Sequence, residues 1–137
     1  MELFECMNFL LSVSQNKVFK QFSEGLKKYG LTPAQYGVLN CLWKYETLSP
    51  KQISEKLYLE PSTVSGILDK MQHAGFIGRS VDENNRRNIL VFCTLKSYSL
   101  QNEIEKTVEN LNNQLTEKTS ASELKIVKRV LEQMIRN

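Results

Sequence analysis

Between Leu48 and Thr94 the apolar positions change their period. Ile53 and Leu57 stand four apart, and Val64, Ile67, Leu68 and Met71 follow at steps of three and four, which predicts two short helices with one inward stripe each. Past Gly75 the pattern becomes that of strands. Residues 77–81 and 88–94 are rich in β-branched and aromatic types and flank the polar run Asp82-Glu83-Asn84-Asn85-Arg86-Arg87, which predicts a two-stranded hairpin.

The boundaries are written in the same stretch. Ser49 can cap the first helix, Pro50 fits the first helical position where no N–H is needed, and Gln52 stands three residues after the cap. Tyr58-Leu59-Glu60 forms a tight connection to Pro61, which cannot continue one helix but can open the next, with Glu60 as a poorer cap. Gly75 marks the stop.

With Val64, Ile67, Leu68 and Met71 turned inward, Ser62, Thr63, Ser65, Gly66 and Lys70 remain outside. That face is small and polar, suited to base edges: hydroxyls can donate or accept there, and Gly66 removes a side chain that would hold the backbone away. Helix, corner, helix and hairpin in this order give a winged helix-turn-helix, in which one helix enters the major groove while a basic wing reaches a neighbouring minor groove. Arg86 and Arg87 lie at the wing tip, although such a tip can equally be a solvated loop. Ser49, Lys51, Pro61 and Arg79 complete the expected DNA-contacting set.

The segment resembles the MarR family of bacterial transcription regulators. The resemblance is carried by Leu31-Thr32-Pro33-Ala34-Gln35-Tyr36, Leu48-Ser49-Pro50, Thr63-Val64-Ser65, Gly75-Phe76-Ile77 and the stretch from Asp82 to Thr94, and it spans nearly the whole chain. It implies a single domain over 1–137, mainly α with a small β-hairpin, with the winged helix at 31–96 and dimerisation helices at 1–30 and 97–137. It also implies that Arg87 is the minor-groove arginine, with Arg86 beside it. Two positions depart from the family pattern: Asn85 stands where an aspartate usually precedes the arginine pair, and Ser97 replaces the usual glycine after the second wing strand.

Composition narrows the class. The 137 residues, 41% of them hydrophobic, suit one core, and the formal charge of +3 is too small to establish nucleic-acid binding alone. Its distribution says more. Residues 44–96 hold eight Lys or Arg against six Asp or Glu, whereas residues 97–137 hold six of each. No apolar run approaches the ~18 residues of a membrane span and no basic segment precedes an apolar stretch, so a cytoplasmic, non-membrane protein is expected.

The flanks carry three apolar stripes at helical spacing: Phe4, Met7, Leu11, Val18, Phe22 and Leu26; Leu100, Ile104, Val108, Leu111 and Leu115; Leu124, Val127, Leu131 and Met134. They can pack on one another within a monomer, or cover one another between copies. The resemblance implies the second, a homodimer placing two recognition helices about one DNA turn apart on a pseudo-palindromic operator.

Cys41 and Cys93 lie in apolar patterns and read as core. Cys6 is incidental or a redox sensor. In the peroxide-sensing branch, which the chain resembles through Tyr36, Leu42-Trp43 and Leu57-Tyr58-Leu59, the reactive cysteine aligns with Asn8. His73, the single histidine, is no basis for a metal site, and no phosphate loop, nucleophile elbow or His-centred hydrolytic set occurs, so neither metal, cofactor nor enzyme is expected. Phe9, Phe22, Tyr36 and Trp43 are either core or the lining of a small-molecule effector pocket between the long helices and the winged helix. The expected function is a homodimeric DNA-binding repressor released by an effector. The alternatives are a thiol-based regulator using Cys6 and a winged-helix protein-interaction module that no longer binds DNA.

Overall fold

The computed structural model describes residues 1–85 and 87–137, so the expected wing contact Arg86 lies outside the described residues. Helix α1 (Met7–Leu26) leads into a short 3-10 turn that Gly30 ends in the left-handed region at φ 72°. Thr32 then opens α2 (Pro33–Tyr45) with a reciprocal cap: its hydroxyl accepts from Gln35 N at 3.2 Å while Gln35 Oε1 accepts from Thr32 N at 3.0 Å. The same device starts α3 (Pro50–Leu57), where Ser49 and Gln52 exchange bonds of 3.1 and 2.9 Å, as their spacing predicts. Helix α4 (Pro61–His73) starts at Glu60 without a side-chain cap bond and ends before Gly75, which sits at φ 85°.

Strands β2 (Ile77–Val81) and β3 (Ile89–Cys93) pair antiparallel, Ile77 opposite Cys93 and Val81 opposite Ile89. A third strand was not anticipated: β1 (Thr47–Leu48) pairs with the other edge of β3, giving the order β1-β3-β2. It ties the entry to α3 to the wing. Val38, Leu39 and Leu42 of α2, Ile53 of α3, Val64, Leu68 and Met71 of α4, and Val91 of β3 meet in one core that also takes in Leu26 and Ile104.

Helix α5 (Leu95–Leu115) grips the end of α4 where it leaves the sheet. Thr94 Oγ1 donates to the Gly75 carbonyl at 2.6 Å, and Lys96 Nζ donates to the Ala74 carbonyl at 3.0 Å while lying 4.4 Å from the Phe76 ring centre. The fully buried Ser97, at a position where the resemblance expected glycine, donates its hydroxyl to the Phe76 carbonyl. That carbonyl also accepts from Thr94 N at 3.1 Å. Removing the hydroxyl therefore orphans no acceptor, and Ser97→Ala should lower stability by only about 0.5–1.5 kcal/mol in urea unfolding.

Further along, α5 packs on α1. Leu111 lies against Gly25, where an added Cβ would come within 2.7 Å of its methyls, and Tyr29 donates its hydroxyl to the Glu103 carbonyl at 3.2 Å. The central part of the α5 stripe is thus covered inside the chain. Helix α6 (Ala121–Arg136) differs, since it buries no residue although it carries a complete Ser120–Glu123 capping box and an apolar stripe. None of the helices among the described residues is long and apolar enough to cross a membrane.

Candidate nucleic-acid interface

Helix α4 is anchored by Val64, Leu68 and Met71, all essentially inaccessible, which leaves Pro61, Ser62, Thr63, Ser65, Gly66 and Lys70 exposed as their spacing predicts. Gly66 is informative because nothing lies within 4 Å of where its Cβ would be. A glycine inside a helix costs about 1 kcal/mol relative to alanine, and here no packing inside the chain requires it.

The wing is organised by its own backbone and amide groups. Asp82 N donates to the Asn88 carbonyl at 3.0 Å, closing the turn, and Asn84 N donates to Asp82 Oδ1 at 3.0 Å. Asn85 Oδ1 accepts from Arg87 N at 3.2 Å, so the asparagine holds the backbone under Arg87. The single ion pair among the described residues lies elsewhere, leaving the exposed Arg87 without a carboxylate partner among them. Arg87, Asp82 and Asn88 face Ser49, Lys51 and Gln52 across a cleft of about 550 Å³ between the start of α3 and the wing. Three expected contacts, Ser49, Lys51 and Arg87, are thereby brought together. Gln52 and Asn88 join them without a distinctive sequence signal beyond the polarity of the turn and cap, and Asp82, the carboxylate the turn leaves available to Arg87, joins them without forming an ion pair with it.

Arg79 stands in a different setting. Its Nη2 lies 2.7 Å from Asp69 Oδ1, so its charge is engaged in linking α4 to β2, while its Nε is buried without a partner. Nothing in the spacing of residues 69 and 79 marks them as a pair.

The four aromatics assigned to an effector pocket are only partly gathered. Tyr36 and Trp43 meet edge to face with ring centres 6.4 Å apart, and Asn40 Nδ2 donates to the Tyr36 hydroxyl at 3.3 Å. Burial raises the Tyr36 pKa above 10.0 against that hydrogen bond. Phe22 packs on the core, whereas the Phe9 ring pairs with Phe4 at 5.7 Å.

All three cysteines are free, Cys41 and Cys93 buried and Cys6 half-exposed at the cap of α1. Burial pushes the Cys93 thiol up to about 12 from 9.0, with a Ser97 hydrogen bond pulling the other way, and Cys41 is raised mainly by burial. The unfolded chain would release the Cys93 proton near 9.0, so the thiol's contribution to stability is full below that pH and lost as pH rises from there towards 12. At neutral pH a small maleimide should accordingly label Cys6 and spare the other two. Intact mass before and after unfolding checks this.

The profile of the MarR family matches residues 31–89. The organic hydroperoxide resistance transcriptional regulator of Bacillus subtilis (strain 168) is 36% identical over 94 residues, 69% of this chain and 64% of its own length. The chain thus spans slightly under two thirds of that relative. The HTH-type transcriptional regulator SarZ of Staphylococcus epidermidis is 31% identical over 106 residues, covering 77% of this chain and 72% of SarZ. Among solved structures, the transcriptional repressor CouR bound to a 23-mer DNA duplex superposes with a TM-score of 0.91 at 24% identity, covering 98% of this chain and 95% of CouR. CouR from Rhodococcus jostii RHA1 bound to p-coumaroyl-CoA gives 0.87 at 22%, covering 98% and 94%. At these identities the structures show a shared fold. Together with SarZ and the family profile, the capped α3, the polar α4 face and the paired wing place this chain in the MarR family of transcriptional regulators, as a winged-helix protein.

Proposed function

We propose that the protein is a homodimeric, sequence-specific DNA-binding repressor, acting in the cytoplasm as one domain and released from a pseudo-palindromic operator by a small-molecule effector. The observation that carries this reading is α4: an exposed row of hydroxyls and one lysine around a glycine that the fold itself does not need. Ser62, Thr63 and Ser65 contact base edges, Gly66 admits the backbone, and Lys70 meets phosphate. Arg87 enters the minor groove, and Ser49 and Lys51 hold the backbone beside the wing. Arg79 acts mainly by fixing β2 to α4 through Asp69.

CouR, bound in one structure to DNA and in another to p-coumaroyl-CoA, supports the pairing of operator with organic effector. For this chain the effector lies beside Tyr36 and Trp43. A ligand preferring the DNA-incompetent form tenfold supplies about 1.4 kcal/mol of coupling per site.

Fluorescence anisotropy with genomic fragments tests the reading. Tight binding to a few fragments, competed poorly by random DNA, is expected, and equal affinity for all sequences would refute it. Asn8 stands at the sensor position of the peroxide branch, so Cys6→Ser should bind and release DNA as the unmodified protein does. Loss of an oxidant response in that variant alone would transfer the sensing role to the thiol.

A further inference from the structure

Away from the wing and the outer face of α4, a second cleft of about 520 Å³ opens where the end of α2, α3 and the last turn of α6 meet. Three cations line it, Lys44 from α2, Lys56 from α3 and Arg136 from α6, against the single carboxylate of Glu55. None of the three has an ion-pair partner among the described residues. Concentrating like charge without neutralisation is unfavourable unless solvent or an anion offsets it. The two lysines are also organised: Lys56 Nζ sits 4.0 Å and Lys44 Nζ 5.3 Å from the centre of the Tyr45 ring. Such cation–π contacts restrain the ammonium groups while leaving their donors free. Tyr58, held in the left-handed region at φ 54° and 69% exposed, adds a free ring face.

We propose that this cleft binds a small organic polyanion carrying two or more phosphate charges next to a flat ring, of the nucleoside diphosphate class. Lys44, Lys56 and Arg136 hold the phosphates, Arg136 with its planar fork, and the ring lies on Tyr58. The size suits such a molecule, since pockets of ~300–1,000 Å³ accommodate ligands of this scale. Cys41, 9% exposed in the lining, is kept neutral by burial and so does not repel the anion. Occupancy bridges the C-terminal end of α6 to the helix-turn-helix. Binding requires neither operator DNA nor the effector reading above.

Calorimetric titration of the full-length protein with ADP and with inorganic pyrophosphate, adenosine serving as the uncharged control, tests this without DNA. Both anions should bind and adenosine should not, with ADP tighter than pyrophosphate. Lys44→Gln, Lys56→Gln and Arg136→Gln should each weaken ADP about tenfold, the loss of one charge-assisted contact. Unchanged melting temperatures would show these variants folded, and Tyr58→Ala should weaken ADP while sparing pyrophosphate. Three results would overturn the proposal: no heat from either anion at millimolar concentration, ADP affinity indifferent to all three charge removals, or variants that lower DNA affinity and its salt slope while ADP binding stays intact. The last would make the cleft a contact for the DNA backbone.

Discussion

Leu131→Glu should turn the protein from a dimer into a monomer, and Leu111→Glu should unfold it instead. Helix α6 buries nothing in its own chain: Ile126, Val127, Leu131, Met134 and Ile135 remain 36–56% exposed, and Phe4, Met7 and Leu11 at the other end of the chain add more uncovered apolar surface. In the homodimer proposed above, a second copy covers this stripe. A carboxylate buried without a partner at that seam costs about 3–5 kcal/mol, equivalent to about two to nearly four orders of magnitude in dimer dissociation. Leu111 is only 8% exposed and rests on Gly25 within the same chain, so a charge there attacks the α1–α5 packing. Sedimentation and thermal melts separate the two effects. A folded Leu131→Glu dimer at micromolar concentration would remove α6 from the interface.

The second large effect divides affinity from specificity. Arg87→Ala should weaken binding to operator and random DNA alike and lower the salt slope by about one, because each neutralised phosphate releases about one counterion. Changes at Ser62, Thr63 or Ser65 should instead alter discrimination among sites by about 1–3 kcal/mol per lost contact. Arg79→Ala is the control: with its guanidinium 2.7 Å from Asp69, it should move the salt slope less than Arg87→Ala. Titrations across a salt series check this, and an equal loss on all sequences in every variant would contradict the division.

What could be read from the chain alone was whatever is decided within a few residues. The Ser49–Gln52 cap, the proline starts at Pro50 and Pro61, the Gly75 stop and the inward row on α4 depend on spacings of three or four, and the structure keeps them. Strand β1 was invisible because two residues carry no period. The Asp69–Arg79 pair, the seat of Leu111 on Gly25 and the grip of α5 on the Phe76 carbonyl join residues brought close only by the chain path. The aromatic set shows the same limit. Tyr36 and Trp43, seven apart on one helix, meet as helical spacing allows, whereas Phe9 pairs with Phe4. At the wing, Asn85 looked like the loss of a carboxylate beside Arg87, and its amide oxygen instead fixes the Arg87 backbone.

Selection of binding sites from a random DNA pool by the full-length protein, followed by footprinting of the enriched sequence, tests the central claim most directly. The expected result is a pseudo-palindrome with half-sites about 10 base pairs apart, protected symmetrically, whose sequence shifts when Thr63 or Ser65 is changed. A pool that emerges without any enriched sequence, with protection following only the salt concentration, would contradict it.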